Sequence, residues 1–265
     1  MIWLILAPSK TQSELIELDP LAFGAFSGYL TSWNNLMEFQ DGRILNWAAN
    51  SVWYTVVILV IAIGSSVLAG YALAATKLPF RKPLLLITLV AMIVPPVALV
   101  LPLFIQITAM GLYNSPWAII FTGSFFPFGV FLSYIYFSTS IPHDLYDAAR
   151  IDGAGEWGTF FRIAMPLSLG LIGMVGFFAF TVNWINFFLP YIFVNKGELL
   201  TLPVGLGILF SSTPALNPGI GATTSLIRGP EIALAVLMVA IPILLVFLGS
   251  ARLLVRGVLS GSVKS

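Results

Sequence analysis

Five stretches of this chain, residues 51–76, 83–109, 116–139, 166–194 and 232–255, run without an acidic or basic side chain until Arg252. Each exceeds the ~20 mostly apolar residues that a helix needs to cross the hydrocarbon core of a bilayer. In lipid the backbone must satisfy its own polar groups, and a helix does so within the segment. Arg252 sits near a helix end, where its long side chain can reach the interface. Only 9% of the 265 residues are charged and 58% are hydrophobic, whereas soluble domains carry about 25% charged residues. So few charges cannot coat a surface that faces water. The expected fold class is all-α, a polytopic transmembrane helical bundle forming a single domain over residues 1–265.

Residues 1–8 begin with a short apolar run that stops at Pro8. They read as the last turns of a truncated first helix, or alternatively as a short interfacial segment. Basic residues orient the rest. Lys77, Arg81 and Lys82 separate the first two full spans, and Arg252, Arg256 and Lys264 close the chain. Both regions are expected in the cytoplasm. Alternation then puts residues 141–165, with Arg150 and Arg162, on the same side. Lys10, Arg43, Lys196 and Arg228 fall outside, so residues 9–50 and 195–230 are expected to be extracytoplasmic.

Several chemistries are disfavoured. The chain has no cysteine, one histidine (His143) and a formal net charge of +1, so neither a thiolate nor a histidine-built metal site nor nucleic-acid binding is indicated. It lacks the G-x-x-x-x-G-K-[ST] loop that cradles ATP phosphates. No acid or histidine lies inside the five spans, which weighs against a proton-coupled secondary active transporter of a small polar solute. No paired carboxylates or nucleophile–base set supports a membrane enzyme.

The loop at 141–165 is patterned. Pro142 suits a helix start, with Asp144 near the positive helix end. Asp152-Gly153-Ala154-Gly155 breaks that helix, because glycine accepts the left-handed backbone of a tight turn. A second short helix follows, with Trp157, Phe160, Phe161 and Ala164 spaced as one apolar stripe. Two short helices at a sharp angle make a knob that fits a groove of another protein. An amphipathic pair lying flat on lipid explains the periodicity equally well.

Asp147-Ala148-Ala149, three residues, Gly153, nine residues, then Ile163-Ala164-Met165-Pro166 resembles the EAA loop of ATP-binding-cassette (ABC) importer permeases, E-A-A-x3-G-x9-I-x-L-P. Asp147 stands where that pattern has glutamate, and Met165 where it has leucine. Met92 to Pro96, Leu202 to Leu206 and the terminal Arg256-Gly257 to Val263-Lys264 are similar to the second permease of carbohydrate importers, whose members have six spans. The resemblance implies the type I importer permease fold with a cytoplasmic coupling helix. Asp147, Ala148, Ala149, Asp152, Gly153, Ile163 and Pro166 would then couple to an ATPase. It further implies a second homologous permease, two copies of a cytosolic ATP-binding subunit and an extracytoplasmic solute-binding protein. ATP and Mg would be used by those partners, with no cofactor on this chain. The function implied is that of a permease subunit forming half of the pathway for a sugar or sugar-like solute.

Asn183, Trp184 and Asn186 are candidate pathway residues. Amides are costly in hydrocarbon unless they find partners or line a wet cavity, and amides with indole rings suit sugars. Interhelical hydrogen bonds explain them as well. The stretch 183–187 resembles a tryptophan–asparagine–aspartate–phenylalanine segment of that family, with Asn186 at the aspartate position. Gly64, Ser65 and Ser66 read as helix-packing contacts. Pro95-Pro96 and Pro102 are expected to break their span midway. In the outer loop, residues 199–210 are apolar and expected to pack against the spans. The polar tip after them, carrying Pro214, Asn217 and Gly219, lies where related permeases reach toward the binding protein.

Overall fold

The computed structural model describes residues 1–213 and 227–262, with side chains through Ser250. All regular structure among the described residues is helical. The chain divides into two compact units. One comprises Met1–Tyr54, Leu112–Ala118 and Trp184–Leu244, the other Thr55–Gly111, Ile119–Asn183 and Leu245–Ser265. Among the described residues, three apolar helical stretches are long enough to cross a membrane, and five if each of two bent pairs counts as one span.

The bends follow the prolines. The helix Arg81–Ile93 and the segment Pro96–Ala109 meet at 103°. Proline has no amide hydrogen and pushes the residue before it out of the helical region, so Val94 and Pro95 turn extended. Pro102 behaves differently from expectation. It falls in the first turn of Val100–Ala109, where a missing donor costs nothing, and it breaks no helix.

Residues 166–194, expected as one span, form three pieces. Glu156–Leu167 meets Leu169–Trp184 at 78°, around a buried Ser168 whose hydroxyl donates to the Met165 carbonyl at 2.9 Å. A separate helix, Phe188–Phe193, follows. The Pro190 ring would collide with the Asn186 carbonyl in a continuous helix, which accounts for the break after Trp184.

The helix Arg43–Ala75 (α1) has 33 residues and starts earlier than residue 51. At 1.5 Å per residue it is about 50 Å long, well beyond a ~30 Å core. Its first turns persist because Ile44 and Trp47 are fully buried within the first unit. There α1 holds a strap of residues 197–202, which opens with the 3-10 turn Gly197–Leu199. The Trp47 indole N–H donates to the Gly197 carbonyl at 2.8 Å. Asn50 donates to Glu198 and Leu200 at 2.7 and 3.0 Å, and the Tyr54 hydroxyl to Leu199 at 3.1 Å. Ser51 accepts the Leu202 amide at 2.7 Å. Beyond the strap, Leu202–Ser211 buries Leu202, Val204, Leu206 and Leu209. The apolar part of the outer loop therefore packs on the chain itself. Pro214, Asn217 and Gly219 lie outside the described residues.

In the second unit α1 packs closely on Pro127–Thr139 (α2). Ser66 is fully buried and donates to the Phe126 carbonyl at 3.3 Å. A Cβ on Gly70 would meet the Ser133 side chain and come within 2.7 Å of the Tyr134 amide nitrogen. Ser66 and Gly70 on one helix thus oppose Gly129 and Ser133 on the other, small residues four apart that let two backbones approach. Gly64 faces nothing within 4 Å and Ser65 bonds its own helix, so of the three residues expected at a contact only Ser66 makes one.

Candidate functional site

The loop at 141–165 lies wholly within the second unit. His143–Ile151 (α3) starts after Pro142 and carries Asp144 in its first turn. It ends in a Schellman closure. The Ala154 amide donates to Ala149 at 2.9 Å and the Gly153 amide to Arg150 at 3.1 Å, with Gly153 at φ +79°. This is the left-handed position that favours glycine. No atom lies within 4 Å of where a Gly153 Cβ would stand, so backbone conformation alone explains the residue.

The second arm holds Glu156–Thr159, a π-helical turn over Phe160–Ala164, and Met165–Leu167. Pro166 supplies no amide hydrogen for the Arg162 carbonyl, which favours a widened turn there. The expected single apolar stripe consequently splits. Phe160 and Ala164 are buried, while Trp157 and Phe161 are 64% and 55% exposed and stack at 6.0 Å. On α3, Tyr146 and Ala149 point inward and Leu145, Ala148 and Ile151 outward.

The inward residues join one core with the spans of this unit. It contains Val67, Tyr71, Phe137, Tyr146, Phe160, Leu171 and Val175. The Tyr71 ring lies 5.7 Å from Phe137, 5.9 Å from Tyr146 and 5.0 Å from Phe160. Burial pushes the Tyr146 phenol well above its ordinary pKa, so it stays protonated. Its hydroxyl finds no hydrogen-bond partner among the described residues. A buried polar atom without a partner carries its full desolvation penalty. Tyr146→Phe is accordingly expected to leave stability unchanged or raise it by about 1 kcal/mol. A fall in the thermal unfolding midpoint of the purified complex would count against this.

Of the expected coupling residues, Asp147, Ala148, Asp152, Gly153 and Pro166 are exposed, Ala149 is buried and Ile163 is half-buried. Asp147 pairs with Arg150 at 3.0 Å. Arg150 also bonds Glu156 at 3.3 Å and the Ala75 carbonyl at 2.6 Å. Partial burial opposes its charge, but Glu156 and Asp147 outweigh that and hold the guanidinium above its ordinary pKa. The sequence carries little sign of this arrangement. The Asp147–Arg150 spacing of three on a helix is its one local sign.

The three pathway candidates each meet protein. Asn183 donates to Ala179 of its own helix at 2.9 Å and lies against Gly123. Trp184 is buried and its indole N–H donates to the Val239 carbonyl at 2.9 Å. Asn186 accepts the Leu189 amide at 3.3 Å.

Residues 62–260 match the family described as "Binding-protein-dependent transport system inner membrane component". Over 98% of its length the chain is 30% identical to the arabinooligosaccharides transport system permease protein AraQ of Halalkalibacterium halodurans, covering 89% of that protein. Over 99% it is 27% identical to the diacetylchitobiose uptake system permease protein NgcG of Streptomyces coelicolor, covering 82% of it. In fold it resembles a chain of a bacterial ABC transporter involved in the import of the acidic polysaccharide alginate. The TM-score is 0.80 at 19% identity, over 95% of this chain and 88% of that one.

Proposed function

This chain belongs to the family of binding-protein-dependent transport system inner membrane components, and on that premise we propose that it is the membrane-spanning permease of an ABC importer for oligosaccharides. The carrying observation is that the family match runs through the whole 141–165 knob as well as the helices on either side. The solute class follows from relatives named for arabinooligosaccharides and diacetylchitobiose. The chain is a transport subunit and not an enzyme. ATP and Mg are used by a separate ATPase, and a solute-binding protein delivers the cargo.

The finer assembly is a second homologous permease completing the pathway and two ATPase copies in the cytoplasm. Membrane lipid covers the apolar outer faces. The C-terminus and the knob face the cytoplasm. The knob docks on the ATPase in preference to lying on lipid. Its outward side chains include the apolar Leu145, Ile151, Trp157 and Phe161, with Trp157 and Phe161 stacked, and the exposed carboxylates of Asp147 and Asp152. Those carboxylates suit a protein groove better than the anionic headgroups of a cytoplasmic leaflet. Closure of the ATPase pair then moves the knob and switches the pathway between two states by rigid-body motion. Of the pathway candidates, the half-buried Asn186 borders the solute path, whereas Trp184 is buried and bonded to Val239 and Asn183 is bonded within its own helix. Pro214, Asn217 and Gly219 meet the binding protein.

Proteoliposomes carrying the complete importer are expected to accumulate a labelled oligosaccharide only with binding protein outside and ATP inside. Uptake driven by an ion gradient without ATP would overturn the reading. The orientation is tested separately, since the chain has no native cysteine. Lys82→Cys is expected to react only with thiol reagents that enter the cytoplasm, and Glu17→Cys from outside. Reversal at both positions would refute the topology.

A further inference from the structure

Arg150 stands at a junction of three parts of the second unit. On α3, its own helix, it pairs with Asp147 at 3.0 Å. On the second arm of the knob it meets one oxygen of Glu156 through two nitrogens, at 3.3 and 3.4 Å. On α1 it donates to the Ala75 carbonyl at 2.6 Å. That carbonyl is among the last four of a helix, which have no acceptor role inside it and carry the negative end of the helix dipole. The other Glu156 oxygen accepts the Tyr71 hydroxyl at 3.4 Å, one turn back on α1. Both arms of the knob are therefore tied to the terminal turns of α1 through one guanidinium.

The planar fork of arginine suits this position. It presents five N–H donors in fixed directions, and the contacts here use donors on three nitrogens at once. A lysine ammonium offers a compact charge and no fork. The side chain is 34% exposed, so its ion pairs add little to folding stability. The aromatic core around Tyr71 and the Schellman turn hold the knob's shape without it. The contacts instead fix where the knob sits on α1.

We propose that Arg150 is a positioning residue for energy coupling, the strut that passes movement of the knob into the cytoplasmic end of α1. This rests on the coupling role assigned to the knob above. A force on either arm reaches α1 through a short hydrogen bond to its last turn and through Glu156 to Tyr71. Without the strut the knob still docks, but it slides on its aromatic core and part of the stroke is lost.

The test uses the complete importer with binding protein, ATPase and both permeases. For Arg150→Ala, ATPase copurification and the thermal unfolding midpoint are expected to match the wild type. Sugar imported per ATP hydrolysed is expected to fall at least about tenfold, the scale of losing one charge-assisted hydrogen bond. Arg150→Lys, which keeps the charge but not the fork, should show an intermediate ratio. If Arg150→Ala fails to assemble, Arg150→Lys and Tyr71→Phe carry the test, each with a lowered ratio expected. An unchanged ratio in all assembled variants would overturn the proposal. Loss of ATPase copurification in a variant whose two permeases still insert and pair normally would overturn it too, by making Arg150 part of the docking surface. A wild-type complex that imports without hydrolysis would instead refute the importer reading, which separates the two failures.

Discussion

Gly153→Val is expected to leave the protein inserted and assembled while abolishing most ATP-driven uptake. Gly153 holds φ +79° at the end of α3. An ordinary L-residue in that region costs about 1–2 kcal/mol, and a β-branched one is a stronger outlier. Space is not the obstacle, since nothing lies within 4 Å of the added Cβ. The strain is relieved only by opening the turn, which breaks the Ala154–Ala149 and Gly153–Arg150 hydrogen bonds. The two arms then lose their fixed angle, and the docked face of α3 is misdirected. Gly153→Asn is the informative companion, because asparagine tolerates the left-handed region. It should keep most of the uptake. Measuring uptake and hydrolysis in proteoliposomes checks both variants. Normal uptake by Gly153→Val at normal expression would show that the angle of the knob does not matter.

Gly70→Leu is expected to be the most damaging single change inside the spans. The Cβ alone would press into Ser133 and to within 2.7 Å of the Tyr134 backbone nitrogen, and backbone cannot swing aside as a side chain can. Helices α1 and α2 would have to separate, opening the packing of Ser66 and Gly129. Overpacking a core typically costs 1–3 kcal/mol, so a fall of roughly 3–10 °C in the unfolding midpoint is expected. The yield of assembled complex should drop with it. Ser133→Ala serves as the contrast. That hydroxyl is buried and finds no partner among the described residues, so its removal should be neutral or mildly stabilising. An unchanged midpoint for Gly70→Leu, read by fluorescence of the detergent-purified complex, would refute the close-approach argument.

Much of the candidate site is legible in the sequence. The motif spacing from Asp147 to Pro166 located the knob. Glycine at 153 between two short periodic segments identified its turn, because a left-handed residue is a local requirement that local sequence must meet. The fate of the aromatic residues was not legible. Trp157, Phe160, Phe161 and Ala164 have the spacing of one helical face. A π turn, favoured by Pro166 and seated against Tyr71, separates them into an inward and an outward pair. Asn183 and Trp184 likewise carried no sign in their own stretch of whether they face a solute or a neighbour. Trp184 proves to be bonded to Val239, 55 positions away.

The sequence by itself determined the all-helical, membrane-embedded character of the chain. Long charge-free runs leave the backbone no alternative in lipid, and that constraint acts within each segment. It also set the break at Pro95-Pro96, whose prolines act on the residues beside them, although Pro102 and Pro242 lie within unbroken helices. Only the tertiary structure decided which helix ends matter. The tie from Arg150 to the Ala75 carbonyl, the Trp47, Asn50 and Tyr54 strap, and the meeting of Gly70 with Ser133 join positions far apart in the chain. Each depends on how separate helices approach, and on backbone groups whose chemistry is the same at every residue. No side-chain pattern can therefore announce them.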